Sequence, residues 1–243
     1  MRRTVVVIQA RMGSTRLPGK VLLDLAGRSM LARVVRRAQR IVGIAEVVVA
    51  TSTLPEEEPL VNAARALNVR LVRGSADDVL ARYVLAAGES AADTIVRVTS
   101  DCPLLSPLVS SVVLAEHLLH PGAYDYVSNT LARSWPRGLD TEVVTAEALH
   151  LAAGEATEPA DREHVTRFIW RQPQRFRCQA VVDRPIRSDL RWTVDQPEDL
   201  DLARRIYAAF AGEDDFDYPD VLTLLERHPE WSELNRHVEQ KRS

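Results

Sequence analysis

The stretch Thr4-Val-Val-Val-Ile-Gln-Ala-Arg-Met-Gly-Ser-Thr-Arg-Leu-Pro-Gly-Lys20 decides the reading of the fold. Its first part, Thr4 to Ala10, is short, β-branched and apolar on both faces, the pattern of a strand buried in a parallel sheet. The loop that follows contains Gly13 and Gly19, the hydroxyls of Ser14 and Thr15, three cations (Arg11, Arg16 and Lys20) and no acid. In open α/β sheets ligands bind beyond the carboxyl ends of the strands, where this loop sits. Glycines permit tight turns and close ligand approach. Backbone donors and cations together suit a polyphosphate. Neither GxxxxGK[ST] nor GxGxxG is present, so this is neither a Walker A loop nor a dinucleotide fingerprint. A plain surface loop in an arginine-rich chain remains the competing reading.

Outward from this segment, strand-like and helix-like patterns alternate. Ser29 to Val42 reads as a helix with Met30, Leu31, Val34, Val35, Ala38 and Ile41 on one side and a wet side of Arg33, Arg36, Arg37 and Arg40. Strands are expected at 46–51, 69–72 and 94–99, and helices at 56–67, 77–90 and 106–119. Ser106-Pro107 supplies a cap and a first-turn proline. This rhythm predicts an α/β, doubly wound, mostly parallel sheet. The second half is less regular. Tyr124 to Trp135 is polar and aromatic. Strands are expected at 140–144, 176–182 and 190–194, and helices at 145–153, 160–171, 197–210 and 218–228. With no linker-like run and no repeat, residues 1–243 read as one domain with an elaborated C-terminal half, of which 212–243 is a helical extension.

Composition narrows the class. The chain has 243 residues, 46% hydrophobic and 27% charged, with a net charge of −3. That balance fits a globular protein and argues against nucleic-acid or membrane-surface partners, which favour a basic excess. Of 31 basic residues only Lys20 and Lys241 are lysines, so Lys20 stands out. Two cysteines make no disulfide framework, and no Cys/His spacing suggests zinc. No signal peptide is read after Met1, and no apolar run approaches the roughly 20 residues of a membrane span, so a cytoplasmic location is expected.

Further stations fall at other strand ends. Thr51 and Ser52 close the second strand, where small hydroxylated residues can approach a base. Arg73 and Ser75 follow the third and could face a nucleobase, while Asp77 and Asp78 fit a helix first turn equally well. Asp101 lies just past the strand at 94–99, opposite the basic loop. A carboxylate there fits a Mg²⁺ ligand, because Mg²⁺ takes one or two carboxylates plus substrate phosphates. A turn cap before Pro103 is the alternative. Cys102 reads as a packed small residue. Asp195 again ends a β-like run, and Glu198 and Asp199 read as first-turn charges.

Ile8-Gln-Ala-Arg-Met-Gly-Ser-Thr-Arg-Leu-Pro-Gly-Lys-Val-Leu22 closely resembles the opening signature of the cytidylyltransferase superfamily, which makes CMP-activated ulosonic acids, and the nearest branch is SpsF-like spore-coat polysaccharide biosynthesis. The resemblance spans about Val5 to Leu202 and implies a Rossmann-like nucleotide-diphospho-sugar transferase fold. It implies that Arg11 and Lys20 meet the triphosphate, with Ala10, Gly13, Ser14 and Thr15 lining the loop and Arg16 less engaged. It places Thr51, Ser52, Arg73 and Ser75 in the nucleotide site, and gives Asp101 and Asp195 to Mg²⁺. Arg11, Lys20 and Asp101 become the catalytic set. Blocks around Tyr124–Thr130, Pro136–Val143 and Asp161–Thr166 resemble the sugar pocket and part of a dimer interface, with Asn129, Arg137, Asp140, Glu142, Arg162 and His164 as candidates. An arginine there can clamp a carboxylate or phosphate bidentately.

The function implied is CMP transfer from CTP to an acidic sugar, with pyrophosphate released, by a homodimer. Guanylyl or uridylyl transfer to a sugar 1-phosphate is an alternative. A glycosyltransferase is another, though Asp77-Asp78 is a weak match to its acid pair. A non-catalytic nucleotide-binding scaffold is the third.

Overall fold

The structure, a computed structural model, describes residues 2–238. Its strands are β1 (Thr4–Gln9), β2 (Asp24–Leu25), β3 (Arg28–Ser29), β4 (Glu46–Ser52), β5 (Arg70–Gly74), β6 (Thr94–Thr99), β7 (Tyr126–Ser128), β8 (Glu142–Thr145) and β9 (Cys178–Ala180). Its helices are α1 (Met30–Ala38), α2 (Glu58–Ala66), α3 (Val79–Glu89), α4 (Pro107–Leu119), α5 (Ala146–Glu155), α6 (Pro159–Glu163), α7 (Arg167–Trp170), α8 (Pro197–Ala209), α9 (Tyr218–Arg227) and α10 (Pro229–Ser232). Seven strands form one sheet in the order β5-β4-β1-β6-β8-β7-β9, and β2 with β3 makes a small ribbon. Every neighbouring pair in the large sheet is parallel except those of β8. The doubly wound, mostly parallel fold expected from the sequence is the one observed.

The alternation along β1 shows why its run is apolar throughout. Val5 and Val7 enter one core with Leu80 and Tyr83 of α3 and Leu149 of α5. Val6 and Ile8 enter the opposite core with Val34 of α1, Leu60 of α2 and Val113 of α4. Period-two side chains on a sheet covered on both faces require apolar residues at every position. Ser29, Asp78, Ser106 and Thr145 cap α1, α3, α4 and α5 through their side chains, so Asp78 takes the helix-start role open to it in the sequence. From β1 the chain winds outward to β4 and β5, then returns to β6 on the other side. The strand order reverses between β1 and β6, and the crevice above that point is the site a doubly wound sheet offers a ligand.

Several expectations are corrected. α1 ends at Ala38, and its supposed wet side is half core: Arg33 and Arg37 are fully buried. Arg33 pairs with Asp214 at 3.0 Å and donates to the carbonyls of Leu25, Ala26 and Gly212. Arg37 donates to the carbonyls of Leu105 and Phe216. Arg36 also reaches Asp214, at 2.9 Å. A helical wheel assigns charge to solvent, but here residues 212–217 lie across that face and supply the acceptors. The 160–171 helix breaks into α6 and α7 at Val165, whose φ is +55°. The 190–194 strand is reduced to one bridge, Arg137 to Arg191. β7 was hidden in a polar, aromatic segment.

The C-terminal extension closes a third core. Phe216, Tyr218, Val221 and Leu225 pack with Leu25, Met30, Trp192 and Ile206. Asp217 accepts from Ser106 and from Leu108 N at 3.1 Å, tying the extension to the start of α4. Residues 239–243 of that extension, Lys241 included, lie outside the described residues. Among the described residues no helix is long and apolar enough to cross a membrane.

Candidate active site

Gly19, at φ +65°, turns the basic loop so that Lys20 starts a short 3₁₀ turn anchored by buried Val21. That turn aims Lys20 at the β1/β6 crevice. Its Nζ donates to Asp195 Oδ1 at 2.7 Å, Asp101 Oδ2 at 3.1 Å and the Val194 carbonyl at 2.9 Å. Two carboxylates nearly a hundred residues apart thus converge on one cation. Asp101 follows β6 directly, and Thr99 Oγ1 donates to its Oδ1 at 2.5 Å. The Asp101 carbonyl accepts from Val194 N at 2.8 Å and Thr193 Oγ1 at 3.2 Å, which joins the two aspartate segments.

Asp195 is held from three sides. Arg191 reaches its Oδ2 at 3.0 Å and Arg16 at 3.3 Å. Buried Asp199 accepts from Asp195 N, Gln196 N and Arg191, so it fixes the segment as well as opening α8. Burial alone pushes the Asp195 carboxyl up, but Lys20 with Arg16 and Arg191 outweighs it and holds the group below its ordinary range. Burial likewise opposes the Lys20 charge, and Asp101 with Asp195 reverses that, so the ammonium titrates above its ordinary value. Cys102 is buried and its thiol is pushed well up by burial and by Asp101, which fits a packed residue and no nucleophile.

The rest of the loop is open. Arg11 and Thr15 are exposed, and the Arg11 side chain makes no hydrogen bond or ion pair among the described residues. A Cβ on Gly13 would meet nothing within 4 Å, so the folded chain leaves room there for a ligand. Ser14 Oγ accepts from Leu17 N at 3.3 Å, and Ala10 is buried with its N–H on the Ala50 carbonyl.

The β4/β5 side departs from expectation. Thr51 and Ser52 are buried, and both hydroxyls turn to Glu57, Thr51 at 3.0 Å. Glu57 also accepts from Met12 N at 2.9 Å. The two hydroxyls therefore brace the basic loop through Glu57, and no free hydroxyl faces a base. Arg73 latches onto Glu58 and the carbonyls of Ser52 and Leu54, and Ser75 accepts from Asp78 N.

Beyond Asp101, toward β8, lies a cavity of about 710 Å³. Asp140, Glu142 and His164 line it, together with Arg97, Arg133, Arg167 and Trp170. Asp140 is paired bidentately with Arg133 at 2.8 Å for both bonds. Glu142 accepts from Arg97, Tyr126 and Thr166, so it is a buried hub of the wall. His164 has no side-chain partner among the described residues. A smaller cavity of about 130 Å³ adjoins the first at Asp101, lined by Arg137, Asp140, Thr193 and Asp195 among others. Arg137 makes no side-chain hydrogen bond or ion pair among the described residues.

Two candidates are corrected. Asn129 is buried with both ends of its amide spent on the backbone of Leu139 and Thr141, because it straps the 129–141 loop. Arg162 pairs with Asp78 at 3.3 Å, linking α6 to α3. Arg97 was legible in principle as a charge between Val96 and Val98 in a buried strand. Arg133, Arg167 and Trp170 had no such signal.

The donor set suits Mg²⁺. Two carboxylates already share one cationic point, and the chain offers hard oxygen ligands beside it. Among the described residues no group of three or more His, Cys, Asp or Glu could hold a metal ion.

Comparison with known proteins identifies the family. The family model for Cytidylyltransferase matches residues 5–218. The spore coat polysaccharide biosynthesis protein SpsF of Bacillus subtilis is 32% identical over 238 residues, covering 95% of this chain and 97% of that protein. The 3-deoxy-manno-octulosonate cytidylyltransferase of Escherichia coli is 39% identical over 109 residues, covering 44% of this chain and 43% of that one. The solved structure of a cytidylyltransferase from Leptospira borgpetersenii matches with a TM-score of 0.92 and 27% identity over all of both chains. The chain belongs to the cytidylyltransferase family. The nucleotidyltransferase class implied by its first loop is the class of that family.

Proposed function

We propose that the enzyme transfers CMP from CTP to an acidic, ulosonic-type sugar and releases pyrophosphate, as a step in surface polysaccharide synthesis. The observation that carries this reading is the convergence of Lys20, Asp101 and Asp195 at the β1/β6 crevice, with the 710 Å³ cavity opening from Asp101. The relatives support the choice of base and sugar class, since one is a cytidylyltransferase for 3-deoxy-manno-octulosonate and another serves a spore coat polysaccharide.

In this reading an acceptor hydroxyl oxygen forms a bond to the α-phosphorus of CTP. The bond from that phosphorus to the oxygen bridging to the β-phosphate breaks, pyrophosphate departs and the hydroxyl proton passes to water. Positioning and charge neutralisation supply the catalysis. Arg11 and the open backbone at Gly13–Thr15 receive the triphosphate. Lys20 steadies the leaving pyrophosphate. Asp101 and Asp195 would hold Mg²⁺, which supplies Lewis-acid neutralisation at the phosphate when bound. Arg137, the unengaged cation beside both aspartates, receives the acceptor's carboxylate, and His164 with Trp170 lines the sugar's side of the cavity. The family resemblance extends the proposal to a cytoplasmic homodimer.

The test is a thermal-shift series with CTP, UTP, GTP, ATP and UDP-sugars, each with and without Mg²⁺. A ligand at 100 times its Kd stabilises by about 2.7 kcal/mol. The proposal expects the largest shift from CTP with Mg²⁺. A larger shift with UTP or GTP would move the substrate to a sugar 1-phosphate. A shift with UDP-sugars alone would make it a glycosyltransferase. No shift with any nucleotide would leave a scaffold.

A further inference from the structure

The chain after α9 runs over the surface toward its end. Among the described residues of 226–238, Asn235 is the one buried side chain, at 2% exposed, and α10 buries none. Trp231 and Leu234 lean on the third core only in part. A stretch whose one buried side chain is an amide is fixed there by hydrogen bonds, because a buried polar group must find partners. Asn235 spends both amide hydrogens in this way. Its Nδ2 donates to the Arg191 carbonyl at 2.9 Å and to Asp199 Oδ1 at 2.8 Å.

Both acceptors belong to the network that holds Asp195. Asp199 Oδ1 also accepts from Arg191 Nε at 2.9 Å, and its Oδ2 accepts from Asp195 N at 2.9 Å and Gln196 N at 3.0 Å. Arg191 in turn donates to Asp195 Oδ2 at 3.0 Å. Asn235 therefore pins the backbone of one partner of Asp195 and the carboxylate of the other. It lines neither cavity at Asp101. It lines a separate cavity of about 120 Å³ with Arg191, Trp192 and Ser232 among others. Atoms facing a void lack packing partners on that side, so the two bonds, more than contact, set where Asn235 and Arg191 lie against each other. Without them Asp199 can turn and Arg191 can shift, and Asp195 is tied to both.

We propose that Asn235 is a positioning residue: through Asp199 and Arg191 it holds the Asp195 carboxylate in the orientation that takes up Mg²⁺ with the triphosphate. This inference rests on the assignment of Asp195 to Mg²⁺ in the cytidylyl-transfer reading above. Carboxylates that ligate metals depend on such outer hydrogen bonds for their orientation. The C-terminal extension thereby reaches the reaction site without touching substrate.

Calorimetry on the full chain measures CTP affinity in saturating Mg²⁺ and in EDTA, for the wild type, Asn235→Ala and Asn235→Asp. The wild type is expected to bind CTP more tightly with Mg²⁺. In Asn235→Ala the affinity in EDTA should stay at the wild-type value, while the affinity with Mg²⁺ falls about 10-fold, the usual cost of removing an outer partner of a metal ligand. Asn235→Asp keeps the size of the side chain but sets acceptors against Asp199 and the Arg191 carbonyl, and should lose at least as much. Equal losses with and without Mg²⁺ would make Asn235 a purely structural residue and overturn the inference. An unchanged gain from Mg²⁺ in either variant overturns it too. If neither variant folds, NMR of the wild type decides: the two side-chain amide protons of Asn235 should shift when Mg²⁺ is added to the CTP complex, and unmoved signals overturn the inference. A wild type that binds CTP with no gain from Mg²⁺ overturns the metal assignment of Asp195 and this inference with it. A wild type that does not bind CTP overturns the cytidylyl-transfer reading as well.

Discussion

Replacing Asp214 by alanine should destabilise the protein more than any surface acid can. Asp214 is 6% exposed, and its carboxylate takes Arg33 at 3.0 Å, Arg36 at 2.9 Å and Arg28 at 3.5 Å. Arg36 is half exposed, so its pair contributes little. Arg33 is fully buried, and breaking a buried pair by removing one partner costs about 3–5 kcal/mol. Arg33 keeps three backbone carbonyl acceptors, which places the expectation at about 3 kcal/mol. For a chain of this size each kcal/mol shifts Tm by about 2–4 °C, so a fall of about 6–12 °C is expected. Calorimetry measures it, and limited proteolysis should show new cleavage near Gly212–Asp217 as the strap loosens. A fall below about 2 °C would refute the reasoning, because Arg33 would then need no anionic partner.

Other consequences can be checked alongside. Gly138 has φ +102°, and a Cβ there would lie 2.6 Å from Thr193 N, so Gly138→Ala should cost about 2–4 kcal/mol. It should also lower kcat by displacing Asp195, whereas Gly13→Ala should leave Tm unchanged because nothing surrounds its Cβ. Burial, with Arg2, holds the His117 imidazole below its ordinary value of 6.5. The unfolded chain therefore binds the extra proton first, and stability falls as pH drops from 6.5 toward the folded value, by at most about 1.4 kcal/mol per pH unit. Unfolding of His117→Gln across that range should lack this component. Lys20→Ala should cut turnover about 10²- to 10³-fold, the cost of losing one preorganised donor, and unchanged turnover would remove Lys20 from the reaction.

The central sheet was legible because buried parallel strands and capped helices are local patterns. Thr94–Thr99 and Pro107–Leu119 fall where β-branched content and Ser106-Pro107 place them. Asp101 and Asp195 were legible from the residues as two acids at element ends, which the family resemblance joined at one site, and the structure adds Lys20 between them. What was not legible depends on distant partners. Arg33 and Arg37 look solvated until residues 212–217 cover them. Thr51 and Ser52 look free until Glu57 arrives from the next turn. Asn129 looks like a ligand-facing amide until Leu139 and Thr141 occupy both its ends.

The most direct test of the account follows the α-phosphorus itself. The enzyme is incubated with CTP labelled at the α-phosphate, Mg²⁺ and a series of acidic and neutral sugars. The account predicts label appearing in a CMP-linked acidic sugar with one pyrophosphate released per transfer, and no such product from Asp101→Asn. Label that stays in CTP with every acidic sugar, or transfer from UTP or GTP instead, would contradict it.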